Sequence, residues 1–512
     1  MIAFHFLAFG LVIPLISAQV NPGQKPMVDN DDKDDDFLTT DTTSGMLTGR
    51  PSLWQPNVTQ FLGIPYASPP IGGLRFAPPK PFLSREAINT EYFGPACPSH
   101  FFQNSNKTVP PWPMEETIHA QLNQFSEYFS EDCLTLNVWT RRGGGGGGEK
   151  RAVMVWVHGG GFFKGSAMWS GLRGAKLAND FDVVVVTVQF RLSVFGFPGA
   201  DFLNEVNPGL LDLRLAVEWV RDNIEKFGGD PERITLCGQS SGASMVNEYA
   251  ISHAEGAIAH AFVLQSGFGP WDAPRETRSR EIATQSWYAV TKKMGCGGSE
   301  EGEATLGCMR EKSWDEIMEA GMETYFAPTV DERTWSSNPD ELMKEGKFAK
   351  KPVLMGNTAD EGAYMTFLQD NPEFADDFFH APHCASVNVA KSRALHGVPV
   401  WQYVYAGNYP NQDLGTGGAW HGSEIGMIFG TSENVSRRPP TPEQIRLSGI
   451  MGKAWTEFAK DPYRGLEGMG WPRYDVEDKV PSIIRLGERD SSEIVFEHVR
   501  DRTAECSRIG LT

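Results

Sequence analysis

The chain has 512 residues, 40% hydrophobic and 11% aromatic, a composition that supports a large folded core and excludes a disordered or fibrous protein. Its 65 acidic and 46 basic residues leave a net charge of −19, which repels nucleic acid and anionic lipid surfaces, so neither is expected as a partner.

The first segment, "MIAFHFLAFGLVIPLISA" (residues 1–18), is one apolar run ending in small residues and reads as a secretory signal cleaved before Gln19. The competing reading, a membrane anchor, is disfavoured by its short length and by the lack of flanking basic residues. No later segment is long and apolar enough to span a bilayer, so an extracellular protein without a stable membrane anchor is expected. Residues 19–37 include "VDNDDKDDDF", which carries too little apolar surface to fold and reads as a solvated tail. Secretion suits three glycosylation sequons, at Asn57, Asn106 and Asn434. It also suits disulfides, but seven cysteines leave one over. Cys237, at the end of an apolar run, is the natural odd one; spacing leaves the pairing of the others open.

Further along, "RRGGGGGGEK" (Arg141 to Lys150) reads as a flexible surface loop between strands. The flanking "AVMVWVHGGGF" and "VVVVTVQF" are uninterrupted β-formers, as in parallel strands buried on both faces. "GLLDLRLAVEWVRDNIEKFGGDP" reads as a helix with Leu211, Leu215, Trp219 and Ile224 near one face, stopping at Gly228-Gly229. A short strand, Arg233 to Cys237, then leads into "GQSSG" (Gly238 to Gly242), and a helix is expected from about Ala243. The pentapeptide alone is weak evidence. Strand, sharp turn and helix around it make Ser240 a candidate nucleophile on a strained elbow, where side chains at Gly238 and Gly242 would collide with the neighbouring strand and helix.

A serine hydroxyl needs a base, and a tetrahedral intermediate needs donors for its oxyanion. "HGGGF" (His158 to Phe162) leaves backbone amides uncovered after a strand, and the N–H groups of Gly160, Gly161 and Ser241 would make a three-donor hole. For the base, His380, His383, His396, His421 and His498 follow the serine; His421 stands out in the small-residue loop "GGAWHGSEIG". The acid candidate is Glu361 in "VLMGNTADEG", with Asp360 a local rival that spacing does not separate from it.

"FLGIPYASPPIGGLRFAPP", "EDCLTLNVW", "HGGGF", "FGGDPERITLCGQSSGAS", "ADEG" and "HGSEI" together resemble, in order and over nearly the whole mature chain, the type-B carboxylesterase/cholinesterase family, most of all its secreted fungal carboxylesterases. The resemblance implies an α/β-hydrolase fold over residues 38–512: a large, mostly parallel sheet flanked by helices. It implies Ser240 as nucleophile, Glu361 rather than Asp360 as acid, His421 as base, Gly160, Gly161 and Ser241 as oxyanion donors, and Ser266 as a brace for the triad. It further implies disulfides Cys97–Cys133 and Cys296–Cys308 and, least directly, Cys384–Cys506. The activity implied is hydrolysis of small-molecule carboxylic esters through an acyl-enzyme, with no metal or organic cofactor. Oligomeric state stays open.

Three departures from the family pattern matter. Gln239 stands where many relatives carry glutamate beside the nucleophile, and the stretch before Cys97 lacks the tryptophan that cholinesterases stack under choline, which together favour a general carboxylesterase. Met114, Ile118, Leu122, Phe125 and Phe129 form an apolar stripe at helical spacing, either packed core or the lid of a triacylglycerol lipase; a non-catalytic binding protein on the same fold is the remaining alternative. Trp271 fits an acyl pocket and ordinary core equally well. Finally, only 22 residues separate Glu361 from Cys384, several dozen fewer than in relatives, so either the pocket is unusually open or coding sequence is missing.

Overall fold

The structure is a computed structural model and describes residues 37–99, 128–142, 149–268, 278–363, 372–415 and 417–508. The signal and nearly all of the acidic segment, Asn106, the glycine run 143–148, Trp271, most of the apolar stripe and residues 364–371 lie outside the described residues.

Fourteen strands occur among these residues: β1 (Thr39–Thr42), β2 (Gly45–Thr48), β3 (Arg50–Pro51), β4 (Val58–Pro65), β5 (Ala87–Asn89), β6 (Thr135–Arg141), β7 (Arg151–Val157), β8 (Val184–Val188), β9 (Gly229–Gln239), β10 (Ala261–Gln265), β11 (Val353–Thr358), β12 (Val400–Tyr405), β13 (Ile483–Leu486) and β14 (Val495–Glu497). Strands β1, β2 and β5 form a small sheet, and the other eleven form one sheet in the order β14-β13-β12-β11-β10-β9-β7-β8-β6-β4-β3. From β8 to β13 every neighbouring pair is parallel, with antiparallel pairs at both margins. This is the α/β-hydrolase architecture.

The unbroken apolar runs have a direct explanation. Successive residues of a strand point to opposite faces, and here both faces are covered. Val153, Val155 and Val157 of β7 join Val184, Val186 and Val188 of β8 in one core. Met154 and Trp156 join Val185 and Cys237 in the core on the other face. A third cluster gathers Phe76, Phe195, Trp287 and Met309 beside the Cys296–Cys308 bridge.

Two local expectations shift. The helix Pro208–Asn223 does form, ending in a 3-10 turn before Gly228 in the left-handed conformation (φ 75°), and Trp219 and Ile224 are buried as expected, but Leu210, Leu213, Ala216, Val217 and Val220 are buried too while Leu211 and Leu215 are only half-buried. Asp212 lies on the buried face: its carboxylate points inward and accepts a bidentate pair from the Arg191 side chain (2.8 and 2.6 Å) and a third bond from the Arg191 amide (3.0 Å). The strand before Ser240 is also longer than expected, Gly229–Gln239, and the helix after it starts at Ser241.

Cys97–Cys133, Cys296–Cys308 and Cys384–Cys506 are bonded, with Cα separations of 5.0, 5.5 and 5.5 Å, and Cys237 is free and buried. Burial pushes the Cys237 thiol far above its usual range, so it packs as a small hydrophobe. No helix among the described residues is long and apolar enough to cross a membrane.

Candidate active site

Because β7 and β9 to β12 run in one direction, the loops leaving their C-terminal ends share one rim of the sheet. The register brings those ends level: Val157 pairs with Gly238, Gln239 with Gln265, and Gln265 with Gly356. From this rim hang the glycine loop after β7, Ser240 after β9, Ser266 after β10, Glu361 after β11 and, farther along its loop, His421 after β12.

Ser240 sits at φ 57°, ψ −129°, a region that side chains rarely adopt. Its N–H donates to the Gln265 carbonyl (2.7 Å), and its own carbonyl accepts from the Ser244 N–H (3.0 Å), so the kink is held from both sides. The glycines around it are sterically required. A Cβ at Gly238 would come within 2.5 Å of the Gly242 carbonyl at the start of the helix, and one at Gly242 within 2.4 Å of the Val157 carbonyl at the end of β7. The helix Ser241–Ser252 therefore starts in contact with the sheet, its positive end beneath the turn.

The glycine loop lies directly against this elbow. A Cβ at Gly159 would sit 2.8 Å from the Ser240 Cβ. Gly160 and Gly161 adopt φ 121° and 65°, which turns the loop back over the serine. Among the described residues, no carbonyl or side chain accepts from the N–H groups of Gly160, Gly161 or Ser241. His158, which leads into the loop, is buried, stacks on Phe190 (4.5 Å) and bonds through Nδ1 with the Gly159 carbonyl (2.8 Å). Burial lowers its pKa to about 4, so it is a neutral structural ring.

Of the candidate histidines, His421 alone among the described side chains meets the candidate acid. Its Nδ1 makes a short hydrogen bond with Glu361 Oε2, and its Nε2 lies 3.3 Å from Gln239 Nε2, the side chain next to Ser240. His383, His396 and His498 face Arg502, the Lys344 carbonyl and Asp478. The side chain of His380 lies outside the described part. Glu361 is almost fully buried, and its Oε1 accepts from the Ser266 hydroxyl (2.6 Å) and the Thr358 amide (2.8 Å). Asp360, half-buried, points instead toward Gly418, where a Cβ would touch its carboxylate. Burial, then the charge of Glu361, raises the Asp360 pKa.

A hydroxyl on a strained turn, uncovered amides beside it and a carboxylate-bound imidazole are the parts needed for acyl transfer. Comparison with known proteins gives the same answer independently: the family model described as "Carboxylesterase family" matches residues 35–381. The chain belongs to the carboxylesterase family. Among its relatives are "Secreted lipase 5" of Gibberella zeae, 34% identical over 90% of this chain and 92% of the relative, and "Chlorogenic acid esterase" of Aspergillus niger, 33% identical over 85% of each. "Para-nitrobenzyl esterase" of Bacillus subtilis is 27% identical over 86% of this chain and 93% of its own. This carboxylesterase is thus a serine hydrolase of small-molecule carboxylic esters.

Several supporting residues escaped the sequence reading. Gly267 lies under the elbow, and a Cβ there would come 1.9 Å from the Ser240 carbonyl; Thr358 supplies the amide that fixes Glu361. Glu424, three residues after His421, is fully buried, and its Oε1 accepts from Gln265 Nε2 (2.9 Å). Burial, reinforced by the negative charge of Glu361, raises the Glu424 pKa to about 7 against an ordinary 4.5. The folded state thus holds a proton that the unfolded chain releases. The resulting stability is complete below about pH 4.5 and disappears as pH rises through about 7, a loss on the order of 3 kcal/mol. Glu424→Gln, which mimics the protonated group, is expected to flatten this dependence. Denaturant unfolding of both proteins at pH 5 and pH 8 checks it, and parallel curves would refute the assignment.

Proposed function

We propose that this carboxylesterase works from outside the cell, led there by residues 1–18, and that Ser240, His421 and Glu361 form its catalytic triad. The observation that carries the reading is the His421 ring, which reaches from the buried Glu361 carboxylate to the side chain adjoining Ser240. With Nδ1–H bound to Glu361, Nε2 carries a lone pair. That nitrogen lies beside the Gln239 amide and is the one able to take the Ser240 proton.

Ser240 Oγ attacks the ester carbonyl as His421 Nε2 takes its proton. The amides of Gly160, Gly161 and Ser241 receive the oxyanion, each donor being worth about 3 to 4 kcal/mol in such sites. His421 returns the proton to the leaving alcohol, and water activated by the same nitrogen releases the acid. Ser266 holds Glu361 in place through its 2.6 Å hydrogen bond.

Gln239 is neutral where a carboxylate would attract a cationic substrate, so the reading is an esterase for uncharged esters rather than choline esters. Its likeness to a secreted lipase supports a second reading, hydrolysis of long acyl chains at an interface. A graded series of p-nitrophenyl esters separates the two. The esterase reading expects greatest kcat/KM with short, soluble chains and no rise at the micellar limit; a sharp rise there, with long chains preferred, establishes the lipase.

A further inference from the structure

Strand β3 is the outermost strand at one end of the large sheet and pairs with β4 through Arg50 opposite Gln60 and Pro51 opposite Thr59. Residues 52–58 close this hairpin. The Ser52 N–H donates to the Val58 carbonyl and the Val58 N–H to the Gln55 carbonyl, both at 2.8 Å, which makes Pro56 and Asn57 the central residues of a four-residue turn. Two large apolar side chains stand at its tip in water: Leu53 is 80% exposed and Trp54 71%. Exposed apolar groups on a sheet edge invite association with other chains, and folded proteins ordinarily cover or blunt such edges.

Asn57 is exposed in the same turn and begins the sequon Asn57-Val58-Thr59. Its backbone is pinned, with the Arg142 N–H donating to its carbonyl (2.8 Å). Trp54 immediately precedes the turn, whose first and last residues, Gln55 and Val58, are drawn to within about 7 Å of each other. Trp54 and Asn57 thus stand three residues apart in one closed hairpin loop, both exposed. The C–H face of an N-acetylglucosamine is apolar and complements the face of an indole, whose ring offers a large rigid surface. Asn434 is exposed too, but Gly430 to Pro440 around it include no aromatic residue.

We propose that Asn57 carries an N-linked glycan whose first N-acetylglucosamine stacks on Trp54, covering the apolar hairpin tip and shielding the sheet edge. The assignment rests on the chain entering the secretory pathway.

The test uses the full chain expressed in a glycosylating yeast. Peptide mass spectrometry after enzymatic glycan release in 18O-labelled water reads occupancy, because a released site becomes labelled aspartate. The Asn57 peptide is expected to be labelled in the secreted protein. Hydroxyl-radical footprinting then compares the secreted protein with Asn57→Gln, normalised to the exposed Tyr463; Trp54 is expected to oxidise several-fold faster in the variant. Secretion with Asn57 unmodified overturns the glycan and with it the stacking while leaving secretion standing, and equal oxidation rates at an occupied Asn57 overturn the stacking. Retention inside the cell with Asn57, Asn106 and Asn434 all unmodified overturns secretion and the glycan together.

Discussion

Ser240→Ala is expected to lower kcat for a soluble ester by about 10⁵- to 10⁶-fold while leaving the protein folded. The size follows from the serine acting as one unit with the imidazole and the amides: without the hydroxyl there is no acyl-enzyme, and the remaining donors polarise an ester that nothing attacks. Folding should survive because the elbow is held by backbone bonds, Ser240 N–H to Gln265 and Ser244 N–H to the Ser240 carbonyl, which alanine retains. Stopped-flow hydrolysis of p-nitrophenyl acetate, with circular dichroism on the same sample, reads both quantities. The wild type should form an acyl-enzyme that mass spectrometry detects after rapid acid quench; the variant should not. A variant as fast as wild type would remove Ser240 from the reaction.

What sequence alone made legible depended on how local the determining physics was. Uninterrupted valines in β7 and β8 announced strands buried on both faces, because that burial is a property of each strand and its immediate cover. The elbow was readable because its glycines, its preceding strand and its following helix are contiguous. Where a distant side chain decided, the reading slipped. In the helix Pro208–Asn223, Trp219 is buried as the stripe suggests, but Leu211 and Leu215 are only half-buried, whereas Asp212 is buried against Arg191, a partner outside the helix. The proposal of Glu361 rather than Asp360 as the acid came from family resemblance, since the contacts that set the two apart, from Ser266 and Thr358 to one carboxylate, are not visible in their spacing. Disulfide pairing likewise came from resemblance, not spacing. Glu424 was invisible as a special group: its altered proton affinity comes from burial and from Glu361, and nothing in "HGSEI" encodes either.

Glu361→Gln is expected to reduce kcat by about 10⁴-fold, whereas Asp360→Asn leaves it close to wild type. The reason is tautomeric rather than a simple loss of charge. The Ser266 hydroxyl and the Thr358 N–H both donate to Oε1, so a glutamine at this position keeps its carbonyl oxygen there and turns its NH2 toward His421. An NH2 group cannot accept from Nδ1–H. The ring therefore moves its proton to Nε2, and that nitrogen is no longer able to take the Ser240 proton. Removing Ser266 as a donor tests the chain of reasoning: in Glu361→Gln/Ser266→Ala the amide is held by Thr358 alone and can flip. Part of the lost kcat should then return, although Ser266→Ala by itself slows the enzyme. Steady-state kinetics of the four proteins on one ester read the coupling directly. Additive losses would show that Glu361 acts through its charge alone, and an Asp360→Asn defect matching that of Glu361→Gln would transfer the role of the acid to its neighbour.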